Sequence, residues 1–224
     1  MNTTQPLRID IFSDVVCPWC YVGRKRLDDA LAAVADIPVE LHWRPFFLQP
    51  DLPREGMDRQ DFIEARFGSL EAYKARSQQL VAIAEAEGLP YRPDLIRRQP
   101  NTLDSHRLIH WAGTDPAGDR SSPMKRRLME LFFAEGGDLG DTDVLVQAAA
   151  DCGMDPGSVR GRLATDEDAD AVSAAAGAAS AQGIDGVPTF VFAAKYALSG
   201  AQPADLLARA IRQVSAELNE PAAG

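Results

Sequence analysis

Leu7-Arg8-Ile9-Asp10-Ile11-Phe12-Ser13-Asp14-Val15-Val16-Cys17-Pro18-Trp19-Cys20 is the stretch that decides the fold. Its first six residues alternate apolar and polar before closing on two apolar ones, as a strand entering a core does. Ser13-Asp14 breaks the run. Past the cysteines, Val22, Leu27, Ala30, Leu31 and Val34 recur at helical spacing, with Arg24, Lys25, Arg26, Asp28 and Asp29 on the other side. The Cys-x-x-Cys pair thus lies between a strand and a helix start. A helix N-terminus offers free N–H groups and a positive dipole end, and a thiolate, the reactive form of cysteine, is stabilised there. Two cysteines so spaced can close a lasting disulfide, hold a metal or cycle between dithiol and disulfide; the position favours the cycle.

Working outward, Asp36-Ile37-Pro38 stops the helix, and Val39–Phe46 alternates again as a second strand that ends at the proline-rich Gln49–Pro53. From about Met57 to Gly183 the pattern turns helical, over 58–67, 69–87, 102–115, 121–135, 141–152, 156–163 and 166–182. Gly88-Leu89-Pro90, Gly136-Gly137 and Gly153 separate these helices; Thr102 and Thr142 suit N-caps, and Thr165 with Asp166, Glu167 and Asp168 suits a capped start. Thr189–Phe192 then reads as a strand, Ala193-Ala194 as a tight turn and Lys195–Gly200 as its hairpin partner. Pro203 opens a last amphipathic helix through Leu206, Leu207, Ala210, Ile211 and Val214. The order is β-α-β, a long helical insert, then β-β-α. The expected domains are 1–55 with 184–224 as one unit and 56–183 as a helical insertion.

Composition bounds the function. At 46% hydrophobic and 25% charged residues, the chain has the make-up of a globular protein. A net charge of −10 argues against nucleic acid or anionic membrane as partner. No run approaches the roughly 20 apolar residues of a membrane span, and Met1–Pro6 lacks the basic start and apolar core of a signal peptide. The expected location is the cytoplasm, where thiols are kept reduced. Three cysteines do not make a disulfide scaffold.

A zinc half-site is the rival reading of the pair. Structural zinc takes four ligands, and His106 and His110 lie four apart on a helix, but Cys20 and His106 are separated by far more than the roughly 12–15 residues of a compact finger. No metal is expected. At the lip of the helix, Cys17 is expected to have a lowered pKa and Cys20, one turn in, to stay protonated longer. Cys17 would then attack and Cys20 resolve the mixed disulfide. Trp19 either offers an apolar surface to substrate or packs in the core. Cys152 ends a helix as a lone, buried or half-buried thiol. Gly186-Val187-Pro188-Thr189 precedes the Phe190–Phe192 strand, an awkward place for proline because it removes a ladder bond. A cis Val187–Pro188 bond would resolve this and turn the backbone of Val187 toward the cysteines, where an extended substrate could pair with it.

Phe12–Tyr21 at one end, and Gly186–Phe192 with Tyr196-Ala197-Leu198-Ser199-Gly200-Ala201-Gln202 at the other, resemble thioredoxin-fold proteins of the DsbA type. With Asn101-Thr102 before the helix bearing His106, the chain looks like the cytoplasmic FrnE-like subgroup, related to 2-hydroxychromene-2-carboxylate isomerases and kappa-class glutathione transferases. The resemblance implies an α/β, thioredoxin-like fold with a long all-helical insertion domain. It implies Cys17 as nucleophile, Cys20 as resolving thiol and a cis Pro188 beside them. Trp19, Val187, Thr189, Asn101 and His106 are the implied substrate contacts, with capping and packing the rival roles of Asn101 and His106. Asp14 either acts on a thiol proton or forms a turn. The implied activity is thiol–disulfide oxidoreduction on protein or small-molecule disulfides, as a monomer or homodimer with an unidentified electron partner. No cofactor is required, though glutathione is a candidate co-substrate. The isomerase and transferase relatives place serine at the first position. Retention of Cys20 therefore favours dithiol chemistry over a glutathione-dependent reaction on a small aromatic polyketide-like substrate.

Overall fold

The computed structural model describes residues 5–220; residues 1–4, part of the stretch read for a signal peptide, lie outside them. A four-stranded sheet runs in the order β2-β1-β5-β6, from β1 (Leu7–Ser13), β2 (Val39–Pro45), β5 (Thr189–Phe192) and β6 (Tyr196–Ser199). β1 pairs parallel to β2, with Leu7 opposite Val39, and antiparallel to β5, with Phe12 opposite Thr189. Residues nearly 180 positions apart in the chain therefore share one sheet, and the segment between them is looped out. Ala193 and Ala194 both adopt positive φ (50° and 56°) in the turn from β5 to β6, the twist a two-residue hairpin loop demands.

Leu7, Ile9 and Ile11 of β1, with Phe190 and Phe192 of β5, face α1 (Pro18–Ala33) and α9 (Ala204–Asn219). Their core includes Leu27 and Ala30 of α1 and Leu207, Ile211 and Val214 of α9. Phe12 packs instead against Ala179 and Ile184, at the end of α8 (Ala169–Ala181). This is the period-two alternation of a strand with both faces covered.

The looped-out segment holds α2 (Arg59–Phe67), α3 (Leu70–Ala86), α4 (Leu103–Gly113), α5 (Ser121–Glu130), α6 (Thr142–Asp151), α7 (Pro156–Leu163) and α8. It also carries two short strands that periodicity did not reveal, β3 (Met57–Asp58) and β4 (Arg98–Gln99), paired antiparallel. Two residues are too few to show alternation. The helix expected over 121–135 is α-helical only to Glu130 and continues as a π-helical turn over Leu131–Glu135. The wider turn accompanies three consecutive buried residues, Leu131, Phe132 and Phe133, which a 3.6-residue period would spread around the helix.

Helix starts also differ from expectation. Thr102 makes no side-chain cap; the Oδ1 of Asn101 accepts the Leu103 N–H instead (3.0 Å). Asp141, in extended conformation, caps α6 in place of Thr142. Residues 165–168 form a turn, and α8 begins at Ala169 after Asp168 at φ 60°. Arg107, fully buried on α4, donates to the carbonyls of Arg162, Thr165 and Glu167 and so takes up the backbone of that turn.

The start of α1 does not share the sheet's core. Val15, Val16, Cys17, Cys20, Tyr21 and Val22 pack with Leu108, Trp111, Leu128 and Phe132 in the helical core. One helix thus serves both halves. Its Gly23 lies against the loop before β5, where an added Cβ would stand 2.8 Å from Pro188 Cγ. Gly23→Ala is expected to lower stability by about 1–3 kcal/mol through overpacking, read from chemical-denaturant unfolding.

Candidate functional site

Cys17 is the N-cap of α1, in extended conformation (φ −84°, ψ 114°), with Pro18 in the first turn, where its missing N–H leaves nothing unpaired. The Cys20 N–H donates to Cys17 Sγ at 3.3 Å, so the sulfur occupies the capping position usually taken by Ser, Thr or Asp. No acidic residue stands in the first turn, and the positive end of the helix dipole is left for the sulfur. The Val187–Pro188 bond is cis, and the thiol of Cys17 points at the carbonyl of Val187 from 3.8 Å. The Gly200 N–H donates to Pro188 O (2.7 Å) and joins this loop to the end of β6. Trp19 is 36% exposed, on the surface side of its two alternatives.

Beneath the cysteines lies a buried polar cluster. Asp14 has no exposed surface; one carboxylate oxygen accepts the Val15 N–H (2.7 Å) and the other the Leu48 N–H (2.9 Å). His106 Nε2 stands 3.3 Å from Asp14 Oδ1, and its ring tilts against Phe47. Burial opposes the Asp14 carboxylate, but the contact with His106, the bond from Leu48 and the charge of Lys125 outweigh it and lower its pKa. Burial lowers the pKa of His106 despite Asp14, which keeps the imidazole neutral at pH 7. His110, which the zinc alternative required on the same face, is exposed.

Lys125 of α5 went unnoticed in the sequence because one lysine on an amphipathic helix reads as a solvated charge. It is 1% exposed, donates to Ser13 O at the end of β1 (3.1 Å) and lies 5.6 Å from the centre of the Trp43 ring. Burial drives its pKa down to about 8, against the pull of the cysteines and Asp14.

The electrostatics couple the two thiols. The hydrogen bond shared with Cys20 and its own burial push Cys17 up, and the Asp14 charge adds to this. Burial opposes the Cys20 thiolate, but the hydrogen bond with Cys17, the Lys125 charge and contacts from Ser13 and Asp14 bring Cys20 below the ordinary thiol value. Because the two neighbouring thiols interact, they titrate as a pair. One thiolate forms readily and the second is held back. The helix start and the Lys125 ammonium below both favour a thiolate in the pair.

The remaining singled-out residues are placed as follows. Thr189 is buried, its hydroxyl donating to Gly186 O (2.8 Å) and contacting Ser199 Oγ (3.3 Å). Asn101 donates to Leu52 O (2.7 Å) while capping α4. Cys152 is half-buried at the C-cap of α6, its pKa raised by burial.

A strand leading into an N-capping cysteine pair, opposed by a cis-proline loop and carrying a helical insertion, defines a thioredoxin-fold protein of the thiol oxidoreductase class. The chain belongs to the DSBA-like thioredoxin domain family, whose match spans residues 8–212. It is 36% identical to the probable DsbA oxidoreductase SCO1869 from Streptomyces coelicolor, covering 96% of this chain and 92% of that one with a TM-score of 0.84. The uncharacterised protein YwbO of Bacillus subtilis is 26% identical over 92% of this chain and 96% of its own length. The cytosolic disulfide reductase DsbM from Pseudomonas aeruginosa, solved with GSH, shares the fold at 20% identity (TM-score 0.62, 92% of this chain and 98% of that one).

Two outcomes follow from the buried cluster. Lys125→Met removes the positive charge near Cys20, and the pH at which the first thiolate appears is expected to rise, followed by ultraviolet thiolate absorbance. Asp14 and His106 both have folded pKa values below their unfolded ones, so on acidification the unfolded chain binds more protons than the native protein. The stability they contribute is present above about pH 6.5 and falls as His106 and then Asp14 would protonate. Thermal midpoints should therefore drop on acidification, and Asp14→Asn should flatten the lower part of that drop.

Proposed function

We propose that the protein is a thiol–disulfide oxidoreductase in which Cys17 and Cys20 cycle between dithiol and disulfide. The observation that carries this reading is the N-capping Cys17 sulfur facing the Val187 carbonyl of the cis-proline loop at 3.8 Å. A disulfide approaching that gap meets the sulfur, a free backbone edge and the exposed face of Trp19. In the reductive direction the Cys17 thiolate attacks one substrate sulfur. A Cys17–substrate bond forms as the substrate S–S bond breaks, and the first substrate thiolate leaves with a proton from the pair or from water. The Cys20 thiolate then attacks the Cys17 sulfur, the Cys17–Cys20 disulfide closes, and the second substrate thiolate leaves. Two electrons pass from the pair to the substrate, and the reverse sequence oxidises a dithiol.

Lys125 favours the thiolate through both steps, and a proton passed between the neighbouring thiols moves the negative charge from one sulfur to the other. Pro188 shapes the loop, while Val187 and Trp19 form the contact surface. Thr189 and Asn101 hold backbone around the cleft, and His106 acts through Asp14. Protein or small-molecule disulfides are the substrates, with glutathione as a candidate co-substrate. The cytosolic setting of DsbM supports a cytoplasmic location for this chain as well. The site belongs to both proposed units, the sheet unit of 1–55 with 184–224 and the helical unit of 56–183.

Cys17→Ser is expected to abolish reduction of an insulin-type disulfide. Cys20→Ser is expected to keep the attack and accumulate mixed disulfides, read as adduct masses after quenching with acid. If both variants keep full activity, the assigned roles fail. Turnover that survives Cys20→Ser and saturates with glutathione would point instead to a glutathione-dependent isomerase or transferase.

A further inference from the structure

A cavity of about 260 Å³ borders Pro18 and Trp19. Its lining includes Arg59 at the start of α2, Arg66 in the last turn of α2 and Arg76 on α3. The chain carries a net charge of −10, and many of its other arginines stand against carboxylates, such as Arg54 with Asp104 and Arg127 with Asp151. None of these three forms an ion pair among the described residues.

Aromatic rings hold them instead. Arg59 lies over Phe62 (5.4 Å to the ring centre) and Tyr73 (5.3 Å); Arg66 and Arg76 both lie over Phe67 (6.0 and 5.8 Å). Two Arg59 nitrogens are engaged, by Gln99 Oε1 and by the Tyr73 hydroxyl, but its Nε is buried without a partner. Guanidiniums resting over ring faces have less freedom to lose when a ligand arrives, and their N–H edges match a carboxylate in bidentate fashion. Two cations over one ring repel each other until an anion joins them.

We propose that this cavity is the subsite for a carboxylate flanking the disulfide of an acidic substrate. The proposal rests on disulfide exchange at Cys17 and names the class of disulfide exchanged. The chain's net charge of −10 repels such a substrate. The arginine patch offsets that repulsion beside Pro18 and Trp19, so it orients the approach as well as selecting the partner.

The test compares kcat/KM for a peptide disulfide with glutamates beside each cysteine, its glutamine counterpart, dithiodipropionate and neutral hydroxyethyl disulfide. The acidic member of each pair is expected to be preferred about tenfold, as one charge-assisted contact provides. The acidic-to-neutral ratio is expected to collapse toward one in Arg66→Gln/Arg76→Gln and to shrink with added salt. A preference in the peptide pair alone assigns the carboxylate to a polypeptide, and one in both pairs extends it to small acidic disulfides. A wild-type ratio near one in both pairs, or a ratio the double variant leaves unchanged, overturns the proposal. Calorimetric titration of Cys17→Ser/Cys20→Ser with the reduced, S-methylated acidic peptide judges the subsite without exchange. Saturable binding lost in the arginine variant upholds it even if no disulfide is turned over, an outcome that would sink only the oxidoreductase reading. No binding and no ratio sinks the subsite.

Discussion

Everything around the cysteines depends on how a fully buried carboxylate is satisfied. Asp14 opens the turn after β1, and its oxygens are met by the N–H groups of Val15 and Leu48 and by the ring of His106. Those partners come from the turn itself, from the loop after β2 and from a helix of the insertion. A buried carboxylate without such partners costs several kcal/mol, so the sheet, that loop and α4 are fixed relative to one another by a single side chain. Lys125, reaching Ser13 O from α5, adds a fourth attachment and sets a positive charge within influence of Cys20. Polar groups in a dry interior are costly, and here their satisfaction fixes the position of the thiols.

Much of this was legible in the chain. β1 and α1 announce themselves through periods of two and 3.6, and Cys17-Pro18-Trp19-Cys20 falls at their junction, so the helix start was readable to the residue. The awkward Pro188 before a strand signalled the loop that faces Cys17. Each of these is a local signal, written in neighbouring residues. That the two β parts share a sheet followed from their flanking the helical insert, but the pairing of β1 with β5 did not, since nothing local links Phe12 to Thr189.

What stayed hidden is mostly tertiary. Lys125 and His106 sit on ordinary amphipathic patterns, and only the packing of α4 and α5 against the end of β1 makes them buried. The charge beside the thiols was hidden for the same reason, because a helix N-terminus can be read from sequence and an ammonium from another helix cannot. Caps failed by one residue at Thr102 and Thr142, where Asn101 and Asp141 reach the free N–H groups instead. The two-residue strands and the π turn are too short to leave a period. Arg59, Arg66 and Arg76 look like solvated charges on two helices until the fold gathers them beside Trp19.

The division of α1 between two cores carries a mechanical meaning. Its first turn, with both sulfurs, is embedded among the helices of the insertion, while its later turns pack on the sheet; the proline loop is tied to β6 through Pro188 O, with Val187 also touching the helical core. If one layer slides or tilts against the other, the sulfurs travel with the insertion and the proline loop with the strands. The 3.8 Å between Cys17 and Val187 therefore works as a gauge across the seam. Whatever presses the layers together or eases them apart changes the opening in front of the Cys17 sulfur.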